Sequence, residues 1–282
     1  MPEGHTLHRM ARTYTRRFAG HPTHSSSPQG RFAPDAAVLD GLMMLRAEAW
    51  GKHLFCHFGT EHLPTTVHVH LGLLGKVTYT DGAPAEPRGA LRWRLSTDPV
   101  ELGGTADLRG PTDCRIVDEA QVDAILARLG PDPLRVDDPA TDPDLAWQRI
   151  SRSRAPIAGL LMDQSVIAGV GNVYRAEVLF RHRLDPLMTG RQLKRREWDA
   201  IWSDLVELMA VGLRVGRIET LRPEDVESPR VRREEGRRSP QYVYRRTGEP
   251  CLLCGTTIRK SELANRNLFW CPGCQRRTRR AG

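Results

Sequence analysis

Four cysteines near the end of the chain are the feature that most constrains the fold. They form two Cys-x-x-Cys pairs, Cys251 with Cys254 and Cys271 with Cys274, and sixteen residues separate the pairs. This spacing is typical of a tetrahedral four-thiolate zinc site. Because four protein ligands leave no position for water, the pattern predicts one structural Zn²⁺, and the catalytic groups are expected elsewhere in the chain.

Composition limits the class of protein and its partners. The 282 residues carry a net charge of +8, and 39% of them are hydrophobic. No apolar run reaches the ~18 residues of a membrane span, and the acidic start is unlike a signal peptide, so we expect a cytoplasmic protein without membrane contact. The positive charge favours nucleic acid as partner, although an arginine-biased genome would give the same excess. Cys56 and Cys114 are expected to be buried, reduced thiols.

Changes in the sequence pattern predict three domains. An amphipathic helix over residues 3–18 precedes short alternating strands between residues 45 and 115 and a helix over 118–129. A Gly- and Pro-rich break near residue 130 is followed by helices at about 144–152, 156–164, 172–181 and 190–214. The stretch 222–240 is rich in Pro, Arg and Glu and predicts a mobile linker. The expected domains are 1–130, 131–236 and 237–282.

The start of the chain offers a candidate nucleophile. If Met1 is removed, Pro2 presents a secondary amine, and α-amino groups have pKa values of about 7.7–8.0, far below that of lysine. Attack of such an amine on a sugar C1′ gives an iminium, and Glu3 beside it is suited to transferring protons. A proline followed by an acid is also an ordinary helix start, so these two residues alone leave both interpretations open.

Two further patterns carry residues suited to phosphate binding. Gly169 and Gly171 permit a tight turn, after which Asn172 stands at a helix start, where free N–H groups attract anions. Arg266 lies between the two cysteine pairs, at the tip of an expected hairpin. A plain helix–helix turn and a solvated arginine are the alternatives.

The β region contains a lysine, several histidines and an arginine in positions that could serve a site. Lys52 stands at a strand start, and the strand that includes His68 and His70 runs into a Gly-containing turn with Leu73. Arg109 follows in a loop. Neighbouring histidines can bind a metal, but no carboxylate pattern accompanies them, so core or surface histidines are expected instead.

The motifs occur together in the order typical of one family. They are Pro-Glu-Gly from residue 2, Gly-Lys-His-Leu from 51, His-Leu-Gly-x-x-Gly from 70, Gly-Val-Gly-Asn-Val-Tyr from 169 and Arg-Asn-x-Phe-Trp-Cys-Pro-x-Cys from 266. Over essentially its whole length the chain resembles the formamidopyrimidine-DNA glycosylase / endonuclease VIII family, and most of all its actinobacterial endonuclease VIII-like branch. The resemblance implies an α+β multidomain fold: an N-terminal helix with a β-sandwich, a helix–two-turn–helix domain and a C-terminal four-cysteine zinc finger.

The resemblance also implies an activity and residue roles. The chain would be a monomeric bifunctional DNA glycosylase and AP lyase that repairs damaged double-stranded DNA at the nucleoid. Pro2 would form the Schiff base, and Glu3 would protonate the deoxyribose ring oxygen. The phosphates flanking the lesion would be bound by Lys52, which acts with the catalytic pair, and by His70, Asn172 and Arg266. Leu73 would fill the space left by the flipped nucleotide, and Arg109 would face the orphaned base.

The implied substrates are oxidised pyrimidines such as thymine glycol and dihydrouracil, with strand cleavage by β,δ-elimination. One position departs from the family pattern: many relatives carry a second acid where this chain has Thr6, which puts the second proton-transfer network in question. Two alternatives remain open. One is a relative specific for oxidised purines such as 8-oxoguanine and formamidopyrimidines, and the other is a DNA-binding relative without catalysis.

Overall fold

The chain divides into two compact units, Met1–Arg128 and Leu129–Gly282, and each is described by itself. The structure, a computed structural model, describes residues 2–60, 62–82, 84–226 and 241–276. The linker predicted over 222–240 falls largely outside the described residues.

The first unit combines helices with two four-stranded antiparallel sheets. Its helices are α1 (Gly4–Phe18), α2 (Ala33–Leu39) and α3 (Glu119–Leu126). Its strands are β1 (Thr23–Ser26), β2 (Met44–Trp50), β3 (His53–Thr60), β4 (Leu63–His70), β5 (Lys76–Thr80), β6 (Leu91–Thr97), β7 (Thr105–Arg109) and β8 (Asp113–Val117). One sheet has the order β1-β6-β7-β5 and the other the order β2-β3-β4-β8.

Helix α1 and both sheets contribute to one hydrophobic core. The helix buries the residues that repeat every three or four positions, as its sequence predicts: Leu7, Met10, Ala11, Tyr14 and Phe18. Aromatic rings from the sheets meet them, and Trp93 lies 6.0 Å from the ring of Tyr14 and 6.1 Å from that of Phe58. Cys56 and Cys114 are buried free thiols in this core, as expected, and burial raises the pKa of both.

The two faces of the sheet β2-β3-β4-β8 differ in polarity. Strand β3 alternates, so that Leu54, Cys56 and Phe58 enter the core while His53, Phe55 and His57 lie on the opposite face. Phe55, His57 and His68 on this opposite face are also buried, and hydrogen bonds hold the two histidines. His57, for example, lies 3.2 Å from a carboxylate oxygen of Glu48 and 3.0 Å from the hydroxyl of Thr66. The face therefore holds histidines in fixed orientations.

The second unit joins a helical part to a zinc-finger hairpin. Its helices are α4 (Pro143–Arg152), α5 (Ile157–Leu160), α6 (Asn172–Arg181), a 3-10 turn (Gly190–Gln192), α7 (Arg195–Val215) and α8 (Pro223–Val226). The hairpin consists of β9 (Arg259–Leu263) and β10 (Arg266–Trp270). Leu268 of β10 enters the helical core, and Phe269 enters a second cluster with the residues around the cysteines.

Two predicted helices differ from the observed ones for local reasons. The helix expected over 190–214 is split, because the backbone N–H of Lys194 donates to the side chain of Glu197 (2.7 Å) and thereby starts α7 at the next residue. The helix expected over 156–164 ends at Leu160, since the Asp163 side chain accepts the backbone N–H of Ser165 (2.9 Å) and competes with helix formation. Helix α2 and strand β1 lie where no element is predicted.

The expected fold class is confirmed: an N-terminal helix with a β-sandwich, a helical domain, and a four-cysteine zinc finger. Within the described part of the chain, no helix is both long and apolar enough to cross a bilayer.

A buried carboxylate connects helix α6 to the segment that leads into the zinc finger. The side chain of Glu177 is fully buried. Its Oε1 accepts the backbone N–H groups of Val243 and Tyr244 (2.9 Å each), and its Oε2 accepts that of Tyr242 (2.7 Å) and the hydroxyl of Thr220 (2.5 Å). Four donors on one carboxylate compensate for the loss of its hydration.

We predict that Glu177→Gln destabilises the second unit, because an amide NH₂ group replaces one accepting oxygen and faces backbone donors. Buried donors without acceptors cost about 1–3 kcal/mol each, so the free energy of unfolding should fall by on the order of 3 kcal/mol. Denaturant titration followed by tryptophan fluorescence measures this change. The matched control is Glu207→Gln at an exposed position of α7. Equal losses in the two variants would contradict the role given to Glu177.

Candidate active site and nucleic-acid interface

The candidate nucleophile and its acid lie at the start of helix α1. Pro2 is partly exposed and directly precedes Glu3, the N-cap residue of the helix, whose side chain is 0% exposed. The backbone carbonyl of Glu3 accepts the N–H of Thr6 (2.8 Å). If Met1 is removed, the amine of Pro2 adjoins this buried carboxylic acid, an arrangement suited to proton transfer. The contact between them is local in sequence, which is why the motif could be identified without a structure.

Thr6 stands where many relatives carry a second acid, and its hydroxyl contacts a histidine. Thr6 Oγ1 lies 3.3 Å from Nε2 of His5. His5 is buried, and burial, with smaller contributions from His8 and Arg9, lowers its pKa to about 4. The pair is thus neutral near pH 7, so this part of the site holds a hydroxyl and an imidazole instead of a carboxylate.

Lys52 lies in the turn between β2 and β3, next to a group of histidines. Gly51 before it has a φ of +56°, a left-handed conformation that glycine adopts without strain. Cross-strand pairing places His53 opposite His70 at the end of β4. The charge of Lys52 contributes to the lowered pKa of His70, which places its ammonium group near that ring.

Histidines 53, 68 and 70 and Asp113 form a connected group across three strands. Nδ1 of His53 lies 2.8 Å from Nε2 of His68, and Nδ1 of His68 lies 3.2 Å from Oδ2 of Asp113. The rings of His53 and His70 are 5.0 Å apart. Burial, the largest cause in each case, lowers the pKa of His53 to about 3 and lowers the pKa of His68 and of His70. All three rings are therefore neutral near pH 7. Sequence reasoning named His70 alone, because strand register is needed to bring the other groups to it.

The turn after His70 presents two leucines to solvent. Gly72 has a φ of +64°, and a Cβ atom at Gly75 would lie 2.3 Å from the backbone oxygen of Leu71. Both glycines are therefore required for the tight turn. Leu73, the predicted wedge, is 50% exposed, and its neighbour Leu74 is 86% exposed. Exposed leucines on a constrained turn are suited to insertion into a stack of bases.

Arg109, expected to face the orphaned base, ends strand β7 with its guanidinium group held in place. Its Nη2 donates to Oδ2 of Asp107 (2.8 Å) and its Nη1 to the hydroxyl of Thr78 (2.8 Å). Asp107 also receives two hydrogen bonds from Arg94, at 2.7 and 2.9 Å. The two arginines lower the pKa of Asp107 despite its partial burial. Any role of Arg109 on DNA thus starts from a fixed side chain.

The glycine-containing turn before α6 is held by one glutamine. Gln164 Nε2 donates to the backbone oxygens of Met162 and Val170 (2.9 Å each), and its Oε1 accepts the N–H of Gly169 (3.0 Å). Gly169 has a φ of +85°. Asn172 then begins α6 as a buried residue. The turn is thus a rigid entry to a helix N-terminus, where phosphates bind favourably.

Arg175 connects the start of α6 to the zinc-finger hairpin, and sequence reasoning missed it. Its Nη2 donates to Oδ1 of Asn172 and to the backbone oxygen of Asn267 (2.9 Å). Asn267 is the neighbour of Arg266, which begins β10 and is partly exposed. The turn before Arg266 has positive φ at Ala264 and Asn265, 49° and 57°, the pattern of a type I′ hairpin. The only signal for Arg175 in the sequence is an arginine three residues after Asn172.

The four cysteines form the predicted metal centre. One Sγ atom from each lies within 4.8 Å of the others, and Cys251–Cys274 and Cys254–Cys271 are 3.8 and 3.5 Å apart. Zn–S bonds of about 2.3 Å in a tetrahedron separate the sulfurs by about 3.8 Å, so the donor set fits one zinc ion. A Cβ atom at Gly273 would lie 2.9 Å from Sγ of Cys254, and glycine is therefore needed at this turn.

Comparison with known proteins places the whole chain in one family. Family models match residues 1–114 (formamidopyrimidine-DNA glycosylase N-terminal domain), 129–222 (formamidopyrimidine-DNA glycosylase H2TH domain) and 248–277 (zinc finger found in FPG and IleRS). Endonuclease 8 1 of Mycobacterium tuberculosis H37Rv is 55% identical over 280 residues, 98% of this chain and 100% of that protein. The chain belongs to the formamidopyrimidine-DNA glycosylase / endonuclease VIII family.

Other relatives agree with this assignment. Endonuclease 8 of Escherichia coli K12 is 30% identical over 286 residues, 98% of this chain and 100% of that protein. The structure of MutM (Fpg) from Thermus thermophilus matches with a TM-score of 0.73 at 26% identity, covering 97% of this chain and 98% of that one. Lactococcus lactis Fpg in complex with abasic-site DNA shares the fold, with a TM-score of 0.77 at 20% identity over 98% of this chain and 100% of that one.

Membership settles the enzyme class. The protein is a DNA glycosylase with AP lyase activity, a base excision repair enzyme with a zinc finger. The predicted endonuclease VIII-like branch is also confirmed by the mycobacterial relative.

We predict that acid weakens the fold through the neutral histidines. Unfolded histidines bind protons below a pKa of about 6.5, whereas His53 remains neutral in the folded protein until about pH 3. Its stabilising contribution is complete above pH ~6.5 and is lost as the pH falls, with a slope of up to about 1.4 kcal/mol per pH unit for each such group. His53→Phe should reduce the slope of the unfolding free energy between about pH 6 and pH 4. Urea titrations at several pH values measure it, and an unchanged slope would contradict the account.

We predict that Cys251→Ser releases the zinc and weakens DNA binding while the first unit stays folded. A serine hydroxyl is a poor zinc ligand, and the hairpin with Arg266 is held by the metal centre. Elemental analysis should find about one zinc per wild-type chain. The matched control is Cys114→Ala, since Cys114 is a buried thiol of the first unit. Retention of zinc by the Cys251 variant would refute this ligand set.

Proposed function

We propose that the protein excises oxidised pyrimidines, such as thymine glycol and dihydrouracil, through a Schiff base at Pro2 and then cleaves the strand by β,δ-elimination. The observation that carries the proposal is the placement of a partly exposed Pro2 directly before the fully buried carboxyl group of Glu3. The 55% identity to an endonuclease 8 over 98% of this chain supports the endonuclease VIII-like branch, for which the sequence resemblance implies oxidised pyrimidines.

The chemistry begins with the amine that becomes available when Met1 is removed. The nitrogen of Pro2 attacks C1′, the bond from C1′ to the base breaks, and the base leaves with that electron pair and takes up the proton that the amine nitrogen loses. Glu3 donates a proton to the ring oxygen O4′ as the sugar opens, which leaves an iminium between Pro2 and C1′. The iminium acidifies the C2′ hydrogens. Loss of one of them expels the 3′ phosphate, and a second elimination expels the 5′ phosphate.

Each unit contributes its own candidate ligands for DNA phosphates. In the first unit these are Lys52 and His70, which lie close enough for the lysine charge to affect the imidazole. In the second unit they are Asn172 and Arg266, which Arg175 connects through one hydrogen bond to Asn172 and one to Asn267. Because Oδ1 of Asn172 accepts from Arg175, its amide nitrogen is the group that can donate to a phosphate.

The exposed leucines and Arg109 are the proposed groups for the damaged base pair. A base must leave the stack before the amine can reach C1′, and an apolar side chain can replace the lost stacking. Leu73 is partly exposed on a turn that its two glycines constrain. Arg109 donates three hydrogen bonds, to Asp107, to Thr78 and from Nε to the backbone oxygen of Arg88 (3.4 Å), and its remaining N–H groups are the donors proposed for the orphaned base.

The proposal describes a monomer that works on chromosomal DNA at the nucleoid. One chain supplies both the nucleophile and candidate phosphate ligands, so a second copy is not needed for the reaction.

Borohydride trapping tests the proposed chemistry. Mature protein is mixed with a duplex that carries one thymine glycol, and the reductant converts the iminium into a stable amine that joins protein and DNA. We expect a covalent product with wild type and a much smaller yield with Pro2→Gly, since a primary amine replaces the secondary amine of proline. Thr6→Ser is the matched control, because it retains the hydroxyl near the same terminus.

The other arms decide between the candidate functions. Trapping on 8-oxoguanine instead of thymine glycol would favour the oxidised-purine specificity. Trapping on an abasic duplex alone would retain the lyase and reject both base specificities. Absence of a covalent product on every duplex would reject Schiff-base chemistry.

A further inference from the structure

The polar face of the sheet β2-β3-β4-β8 carries a line of hydrogen-bonded groups that the proposed reaction does not use. It runs from His53 through His68 to Asp113, with separations of 2.8 and 3.2 Å between the bonded atoms. Asp113 is held in turn by Arg115, whose Nε lies 3.1 Å from the same oxygen, Oδ2. The oxygen of this carboxylate accepts from both neighbours, so the line has an acceptor at one end.

The directions of these hydrogen bonds determine where each ring carries its proton. The carboxylate of Asp113 only accepts, so His68 donates from Nδ1 and, being neutral, accepts at Nε2. His53 therefore donates from Nδ1 and has a lone pair on Nε2. His70 has the opposite form, because its Nδ1 accepts the backbone N–H of Gly72 (3.2 Å) and its proton is thus on Nε2.

The rings of His53 and His70 lie next to each other, beside Lys52. His53 and His70 are cross-strand partners with ring centroids 5.0 Å apart and planes inclined by 55°. Both histidines are partly exposed. If His53 carried its proton on Nε2, its Nδ1 could not donate to Nε2 of His68, and the ring next to His70 would carry an N–H donor in place of a lone pair at Nε2. The line to Asp113 prevents this by using the proton of His53 at Nδ1.

We propose that Asp113, His68 and His53 form a positioning chain that holds His70 as a neutral donor, with its Nε2–H available beside Lys52 for a DNA phosphate. The proposal rests on the phosphate contact of His70 in the proposed function and adds three positioning residues that act through that ring. Lys52 and His70 then bind one phosphate with one charged and one neutral donor. Loss of the chain should therefore weaken DNA binding without changing its salt dependence, since no cation is lost.

The first test determines which ring nitrogen of each histidine carries the proton, in the protein without DNA. Nitrogen-15 NMR of histidine-labelled wild-type protein distinguishes the two neutral forms of each imidazole. We expect the Nδ1–H form for His53 and His68 and the Nε2–H form for His70. Any other assignment for His53 or His70 would overturn the proposal, and this result is independent of whether a variant folds or DNA is cleaved.

The second test compares two replacements of His68. The side chain of Asn can still donate to Asp113 but ends short of the position of Nε2, whereas the carbonyl oxygen of Gln reaches that position and can accept from His53. With a duplex that carries a tetrahydrofuran abasic analogue, His68→Asn should raise Kd about tenfold, as expected for one lost hydrogen bond, and leave the salt slope unchanged. His68→Gln should retain most of the affinity and the Nε2–H form of His70.

The outcomes separate the chain from the proposed function. Equal affinity of the two variants, or a changed salt slope in His68→Asn, would overturn the positioning role. If the wild-type protein gives no covalent product in borohydride trapping, the proposed function is rejected. The positioning chain is tested separately, by which nitrogen of each imidazole carries the proton in the protein without DNA.

Discussion

The second unit depends on one buried carboxylate. Glu177 accepts three consecutive backbone N–H groups and a threonine hydroxyl, so the segment that enters the zinc finger is fixed to α6. Arg175, two residues earlier on the same helix, reaches the hairpin itself. The orientation of Asn172 and the location of Arg266 therefore both follow from α6. Helix α6 would be costly to bury alone, because Arg175 and Glu177 are charged. Their hydrogen bonds to the rest of the unit offset that cost.

In the first unit, the two faces of the sheet β2-β3-β4-β8 differ in polarity. One face is apolar and shared with α1, whereas the other buries histidines whose ring nitrogens find partners within the sheet. Neutral rings avoid a cluster of cations next to Lys52, and Thr6 with His5 likewise places uncharged groups near Pro2. In the proposed site, the positive charge of Lys52 attracts DNA, whereas proton transfer is proposed for a different residue, Glu3.

Local patterns explain which parts could be predicted from the sequence. Helix α1 follows from its apolar spacing, the strands of the β region from alternation, and the metal centre from cysteine spacing, because each depends on neighbours in the chain. The line from His53 to Asp113 depends on the register between strands, which no local pattern contains. Arg175 and Glu177 look like ordinary polar residues of a helix until their distant partners are known. The start of α7 could not be predicted without knowing that the side chain of Glu197 accepts the backbone N–H of Lys194.

The zinc centre also has an electrostatic consequence. Four thiolates and one dication carry a formal charge of about −2, which partly neutralises the basic hairpin of Arg259, Lys260 and Arg266. Oxidation of a thiolate would release the metal and remove this negative charge in one event. Cys254 is the exposed ligand of the four. An oxidant in solution would therefore meet the metal centre first at this sulfur.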